Sequence, residues 1–257
     1  MEKTFQGPRR SDGALRAYWM KGGRNFGDLL TPVVLQHLGY KVAYTRLAMP
    51  GKLMAVGTLM PLLRPRDVVW GTGGYLRPGV KRIKVPNGVE FLAVRGPMTR
   101  SIIDGDVPEV YGDPGLLLPR ILPPAPKKTH DVGVIPHAVE KDVPPVQDPN
   151  VLWIDVTAGV KAVVGQITRC HTIVSSCLHG IVAAEAYGIP TVWVRMSNRI
   201  RAGNFKFNDY YMATGRDVRE PVLWNPRALS AVLQSPAPAV QFDPDPLVQA
   251  LCWRFPV

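Results

Sequence analysis

From VGVIPHAVE onward the chain alternates short β-branched runs with helical patterns, and that alternation leaves few folds open. VGVI, VLWIDV, HTIVSS and TVWVR read as strands, whereas AGVKAVVGQITRC and the Ala-rich segment after His179 read as helices. Strands joined through helices must run parallel, so this order demands a doubly wound α/β sheet. The N-terminal part repeats it more loosely: ALRAYWM, VAYTR, LMAVGT, DVVWGTGGYL and FLAV are strand-like, and LLTPVVLQHLG is a helical pattern closed by Gly39. The carboxyl end of each such strand is a place where a loop can hold a ligand.

Chemistry-bearing residues fall at those ends. VSSCLHGIVAAEAYGIP, from Val174 to Pro190, carries a strand through Ser175, Ser176 and His179-Gly180 into a helix that stops at Gly188. His179 thus sits where a helix N-terminus offers unpaired N–H groups, either as a functional group or as a cap. His137 follows the strand of VGVI, and Arg95 follows FLAV before a helix that Pro97 can start. The fork of a guanidinium suits a phosphate or carboxylate. Asn25 and Asp28, in the glycine-rich KGGRNFGD, can shape a cleft wall or cap the following helix; Gly73 and Gly74 allow the backbone to approach a neighbour closely. That loop has neither a P-loop sequence nor the full dinucleotide fingerprint.

The proline-rich PPAPKKTHD is the strongest boundary, giving an N-terminal Rossmann-like domain at 1–124 and a C-terminal one at 125–257. The second includes candidate helices around Arg227–Gln234 and Leu247–Trp253. Two such domains imply a cleft between the carboxyl ends of two sheets. A formal charge of +11 favours an anionic partner, but the cations are scattered and no nucleic-acid-binding signature is present, so no nucleic acid is expected. Three cysteines without paired spacing read as reduced thiols, and no cluster has metal-ligand spacing, so no metal is expected. The N-terminus lacks the apolar core of a signal peptide, and a cytoplasmic location is the expectation.

Read in order, GGRNFGD, VVWGTGG, AVRGPMTR, PEVYGDPGLL, IPH, SSCLHGIVAAEAYGIP and FKFNDYYMATGR resemble the polysaccharide pyruvyl transferases, especially the ketal-pyruvate transferases of xanthan- and succinoglycan-type exopolysaccharides. The resemblance covers roughly Tyr18 to Arg216. It implies two domains arranged similarly to GT-B glycosyltransferases, phosphoenolpyruvate as donor and co-substrate with no separate cofactor, and a sugar acceptor such as a lipid-linked oligosaccharide. The product would be a cyclic pyruvate ketal plus phosphate. By motif position the donor-binding arginine falls on Arg95, the catalytic histidine on His179 and the basic donor-binding residue on Lys206, with Arg199 and Arg201 as competing cations. Ser175, Ser176 and Gly180 join the donor set, and His137 is the candidate for accepting a hydroxyl proton or positioning the acceptor. Asn25, Asp28, Gly73 and Gly74 fall on the acceptor side. Asp113, in the GDP motif, is expected chiefly to hold the turn before Pro114.

Phosphoenolpyruvate carries two anionic groups, so at least two cations must meet it, and its methylene must gain a proton before C2 becomes electrophilic. A histidine titrating near neutrality suits that step. The basic surface allows peripheral contact with anionic lipid at the inner face of the membrane. Two alternatives stay open: a GT-B nucleotide-sugar glycosyltransferase, for which the Glu-rich donor motif is missing, and a non-catalytic anion- or nucleic-acid-binding protein.

Overall fold

The computed structural model describes residues 8–22, 25–200 and 202–257, so Gly23, Arg24 and the candidate cation Arg201 lie outside the described residues. Two five-stranded sheets form, and every pairing within them is parallel. The first contains Leu15–Tyr18, Val42–Tyr44, Leu53–Met54, Val68–Trp70 and Glu90–Ala93. The second contains His130–Ile135, Val151–Trp153, Cys170–Ser175, Thr191–Arg195 and Val222–Leu223. Counted along the chain within each sheet, both have strand order 2-1-3-4-5. The mixed α/β class with parallel sheets therefore agrees with the Rossmann-like reading. Continuous apolar runs such as Val68-Val69-Trp70, buried throughout, are what a parallel sheet covered on both faces requires.

This strand order fixes where ligands can collect. The chain leaves the first and third strands of each sheet in opposite directions, which opens a crevice at their carboxyl ends. In the first sheet those ends lead into the Asn25–Leu29 loop and the Ala55–Leu59 loop. In the second they lead into Pro136-His137 and Ser176-Cys177.

Helix stops are well encoded. Leu30–His37 and Leu178–Ala186 end alike, with Gly39 and Gly188 at positive φ of 91° and 68°. In each case the N–H two residues past the cap returns to a carbonyl in the last turn, Tyr40 to Leu35 and Ile189 to Ala184, both at 3.0 Å.

The two halves share a core. Phe26, Leu30, Val56 and Leu118 pack in one apolar cluster with Ile135, Ile154, Val163, Ile167 and Ala183. The Phe26 N–H donates to the Val156 carbonyl at 2.8 Å, tying the Asn25–Leu29 loop to the second half. The helix Asp245–Arg254 departs from its expected place with the C-terminal part. Leu247, Leu251 and Phe255 are buried against the first sheet beside Trp70, whose indole Nε1 donates to the Leu247 carbonyl at 2.7 Å. Its apolar stripe is short, and the groove able to bury it lies on the other half. Among the described residues no helix is long and apolar enough to cross a membrane.

Candidate active site

A cavity of about 470 Å³ lies between the two crevices, within the roughly 300–1,000 Å³ range of small-molecule sites. Of the residues named from sequence, Asn25, Asp28, His137, His179, Arg199 and Lys206 line it, joined by Thr58, Tyr75, Arg77 and Cys177. Arg95, Ser175, Ser176, Gly180, Gly73 and Gly74 do not line it.

His179 is the second residue of the helix Leu178–Ala186, whose N-cap is Cys177, so it does not cap that helix. The hydroxyl of Ser175 serves the start of the helix instead, accepting the Cys177 N–H at 2.9 Å. The imidazole is almost fully buried. Its Nε2 faces Asp113 Oδ2 at 3.7 Å, an ion-pair separation longer than a hydrogen bond, and among the described residues neither atom has a hydrogen-bond partner. On its other side the ring touches Gly27 of the NFGD loop: a β-carbon there would sit 2.1 Å from His179 Nδ1. The N-terminal glycine loop therefore belongs physically to the histidine's site.

Asp113 divides its carboxylate. Oδ1 accepts the Gly115 N–H at 2.9 Å and holds the turn, as expected, while Oδ2 faces His179. Burial alone would raise this carboxyl, but His179, the Gly115 N–H and the positive charge of Arg95 hold it below its ordinary value.

Arg95 is fully buried. Its Nε meets Asp209 Oδ2 at 3.1 Å, its Nη1 meets Thr58 Oγ1 at 3.2 Å, and among the described residues its Nη2 has no hydrogen-bond partner. Gly73 covers the guanidinium, for a β-carbon there would lie 2.1 Å from Cζ, and the Gly74 N–H donates to Thr99 Oγ1. Arg95 thus reaches the cavity only through Thr58. Asp209, which sequence reasoning missed, also accepts from the Thr99 N–H at 2.8 Å and the Thr99 hydroxyl at 2.6 Å. It lies on the helix Phe205–Ala213 with Lys206, and this helix was not anticipated. The spacing of Phe207, Tyr210 and Tyr211, all buried, is the signal that could have found it.

Lys206 lines the cavity and is nearly buried, with its Nζ 5.2 Å from the Phe207 ring centroid; among the described residues no carboxylate pairs with it. Burial and the nearby charge of Arg95 pull its pKa down to about 8, against the opposing pull of Cys177, Glu140 and Asp28. Arg199 differs: it is exposed and engages Asp142 bidentately at 3.0 and 2.7 Å. The segment carrying it is held by buried Glu140, which accepts from the hydroxyls of Ser197 and Ser176. Ser176 also accepts the His137 N–H at 3.0 Å.

His137 caps the short turn Ala138–Glu140 through Nδ1, which accepts the Val139 N–H at 3.2 Å. Burial, followed by the charges of Lys206 and His179, lowers its pKa to about 4. The ring is therefore neutral at pH 7, and with Nδ1 accepting, its proton is on Nε2. Ser175 lies within the wall, its hydroxyl 2.9 Å from the Ile135 carbonyl, and Gly180 keeps the helix close to that strand, since a β-carbon there would lie 2.7 Å from Ser175 Oγ.

The polysaccharide pyruvyl transferase family model matches residues 68–198, from the strand Val68–Trp70 through the His179 helix and the strand Thr191–Arg195. The chain belongs to the polysaccharide pyruvyl transferase family. It is also similar to an uncharacterized protein of Acanthamoeba polyphaga mimivirus, 32% identical over 174 residues that make up 62% of this chain and 59% of that protein. A second relative is the succinoglycan biosynthesis protein ExoV of Rhizobium meliloti, 28% identical over 223 residues, 80% of this chain and 67% of that one. The family match contains Arg95, Asp113, His137 and His179, whereas Asn25, Asp28 and Lys206 lie outside it.

Proposed function

We propose that this protein transfers pyruvate from phosphoenolpyruvate onto two hydroxyls of a saccharide in exopolysaccharide biosynthesis, forming a ketal and releasing phosphate. The observation that carries this reading is the meeting, in one cavity between the two crevices, of His179, backed by the buried carboxylate of Asp113, with a lysine that no carboxylate pairs with among the described residues. Family membership and the likeness to a succinoglycan biosynthesis protein support the same class of reaction.

Lys206 binds one anionic group of the donor. Arg95 supports it from beneath through Thr58, and Arg199, already held by Asp142, contributes charge at the rim. His179 gives a proton to the methylene carbon, and Asp113 orients the imidazole and stabilises its charged form. The other end of the cavity, with Tyr75 and Leu62, receives the sugar. The reaction as written uses phosphoenolpyruvate as co-substrate and needs no further cofactor. We also place the enzyme in the cytoplasm, with two GT-B-like domains divided at 124/125. Arg77 at the cavity wall and the exposed Lys81, Arg82 and Lys84 that follow it in the chain suit contact with anionic lipid and a lipid-linked acceptor. Membrane association that persists through a high-salt wash would count against that contact.

The test is phosphate release from phosphoenolpyruvate across a panel of saccharides. Release that depends on both the saccharide and His179 supports the reading. No release with any acceptor, or turnover of a nucleotide sugar instead, overturns it.

A further inference from the structure

Ketal formation sets a strict proton account. Two hydroxyls each lose a proton; one equivalent ends on C3 of the donor and the other leaves with phosphate. His179 can supply C3, but a group must take the proton of the attacking hydroxyl, and several residues on the wall are unsuited to that. His137 presents an N–H because its Nδ1 is occupied by Val139. Asn25 has its amide oxygen on the Gly27 N–H at 3.0 Å. Lys206 is cationic below about pH 8, Arg199 is tied to Asp142, and burial keeps the Cys177 thiol protonated by raising its pKa.

Asp28 remains. Among the described residues it is the only carboxylate lining the cavity, and its oxygens have no hydrogen-bond or ion-pair partner there. It follows Gly27, against which the His179 ring packs, so acid and acceptor enter the cavity from adjoining positions. The geometry points to Asp28 as the base that accepts the proton of the attacking sugar hydroxyl. This rests on the pyruvyl-transfer reading above.

The bonds balance as follows. His179 protonates C3, the first sugar oxygen bonds to C2, and its proton passes to Asp28. The C2–O bond to phosphate breaks, and the phosphate leaves with that proton. The second sugar oxygen then closes on C2, and its proton returns His179 to its acid form. Burial makes Asp28 a stronger base than an ordinary carboxylate, although His179 and Lys206 pull the other way.

The experiment compares wild-type full-length protein with Asp28→Asn and Asp28→Glu, measuring saccharide-dependent phosphate release, phosphoenolpyruvate affinity by calorimetry and thermal melting. The expected result is a fall of about 100-fold or more in kcat for Asp28→Asn. Donor affinity should be unchanged, the acidic limb of the pH–rate profile should vanish, and Asp28→Glu should recover part of the rate. Activity within threefold of wild type, or an equal loss of donor affinity, would overturn the assignment while leaving pyruvyl transfer standing. A wild-type protein that releases no phosphate overturns both. Should Asp28→Asn melt early, the acidic limb in Asp28→Glu decides: a limb displaced from its wild-type position supports the role, and an unmoved one overturns it.

Discussion

Replacing Asp209 by alanine should unfold this protein more readily than almost any other polar substitution. Asp209 and Arg95 are fully buried, lie 114 positions apart, and join the Phe205–Ala213 helix to the first half. Removing the carboxylate leaves a guanidinium in the interior without its counter-ion and orphans the Thr99 N–H and the proton of its hydroxyl. Breaking a buried pair from one side costs about 3–5 kcal/mol. For a chain of this size, at about 2–4 °C per kcal/mol, the melting temperature should fall by about 6–20 °C. Differential scanning calorimetry measures it directly. The double variant Arg95→Met/Asp209→Leu should recover most of that loss, because an apolar pair of similar volume needs no counter-ion, yet it should bind phosphoenolpyruvate poorly. A loss below about 1 kcal/mol, the value of an exposed pair, would refute the reasoning, as would a double variant no more stable than the single one.

Gly27→Ala should lower kcat by about 100-fold, since displacement of a reacting group by an ångström can cost that much; steady-state kinetics should show donor KM nearly unchanged. Donor affinity should weaken as pH rises through about 8, where free Lys206 loses its charge. The sign follows because its pKa is depressed: the anion binds the protonated form and takes up a proton above that pH. Isothermal titration in buffers of different ionisation enthalpy reads the uptake, and Lys206→Arg should carry tight binding to higher pH. Glu140→Ala should release the segment bearing Ser197 and Arg199, costing about 1–3 kcal/mol and increasing proteolysis between residues 196 and 204.

Much of the scaffold was legible because four strands of the second half are apolar runs, and the helix Leu178–Ala186 between two of them stops at Gly188. Gly39 and Gly188 announce their helix ends by chemistry alone. The His179 junction was equally visible, since SSCLHG places a titratable side chain between a strand and a helix. What the sequence hid depends on distance along the chain. Nothing local to FNDYY says that Asp209 will meet Arg95, and the aromatic residues there obscure a helix that is buried on most sides. Gly27 reads as one more loop glycine until His179, far along the chain, comes to rest against it. The final helix carries only a short apolar face, so its crossing back to Trp70 needed the three-dimensional groove. Asp113 shows a further limit: a turn-forming role and a role facing histidine use different oxygens of the same carboxylate, and the GDP motif displays only the first.

The central claim, proton delivery by His179 to a phosphoenolpyruvate donor, is tested most directly by running the reaction in heavy water and examining the product by mass spectrometry. The account predicts a single deuterium in the ketal methyl group for each phosphate released by the wild type. His179→Ala should form no ketal while still binding the donor. A ketal formed at normal rate by His179→Ala, or an unlabelled methyl drawn from free pyruvate, would contradict it.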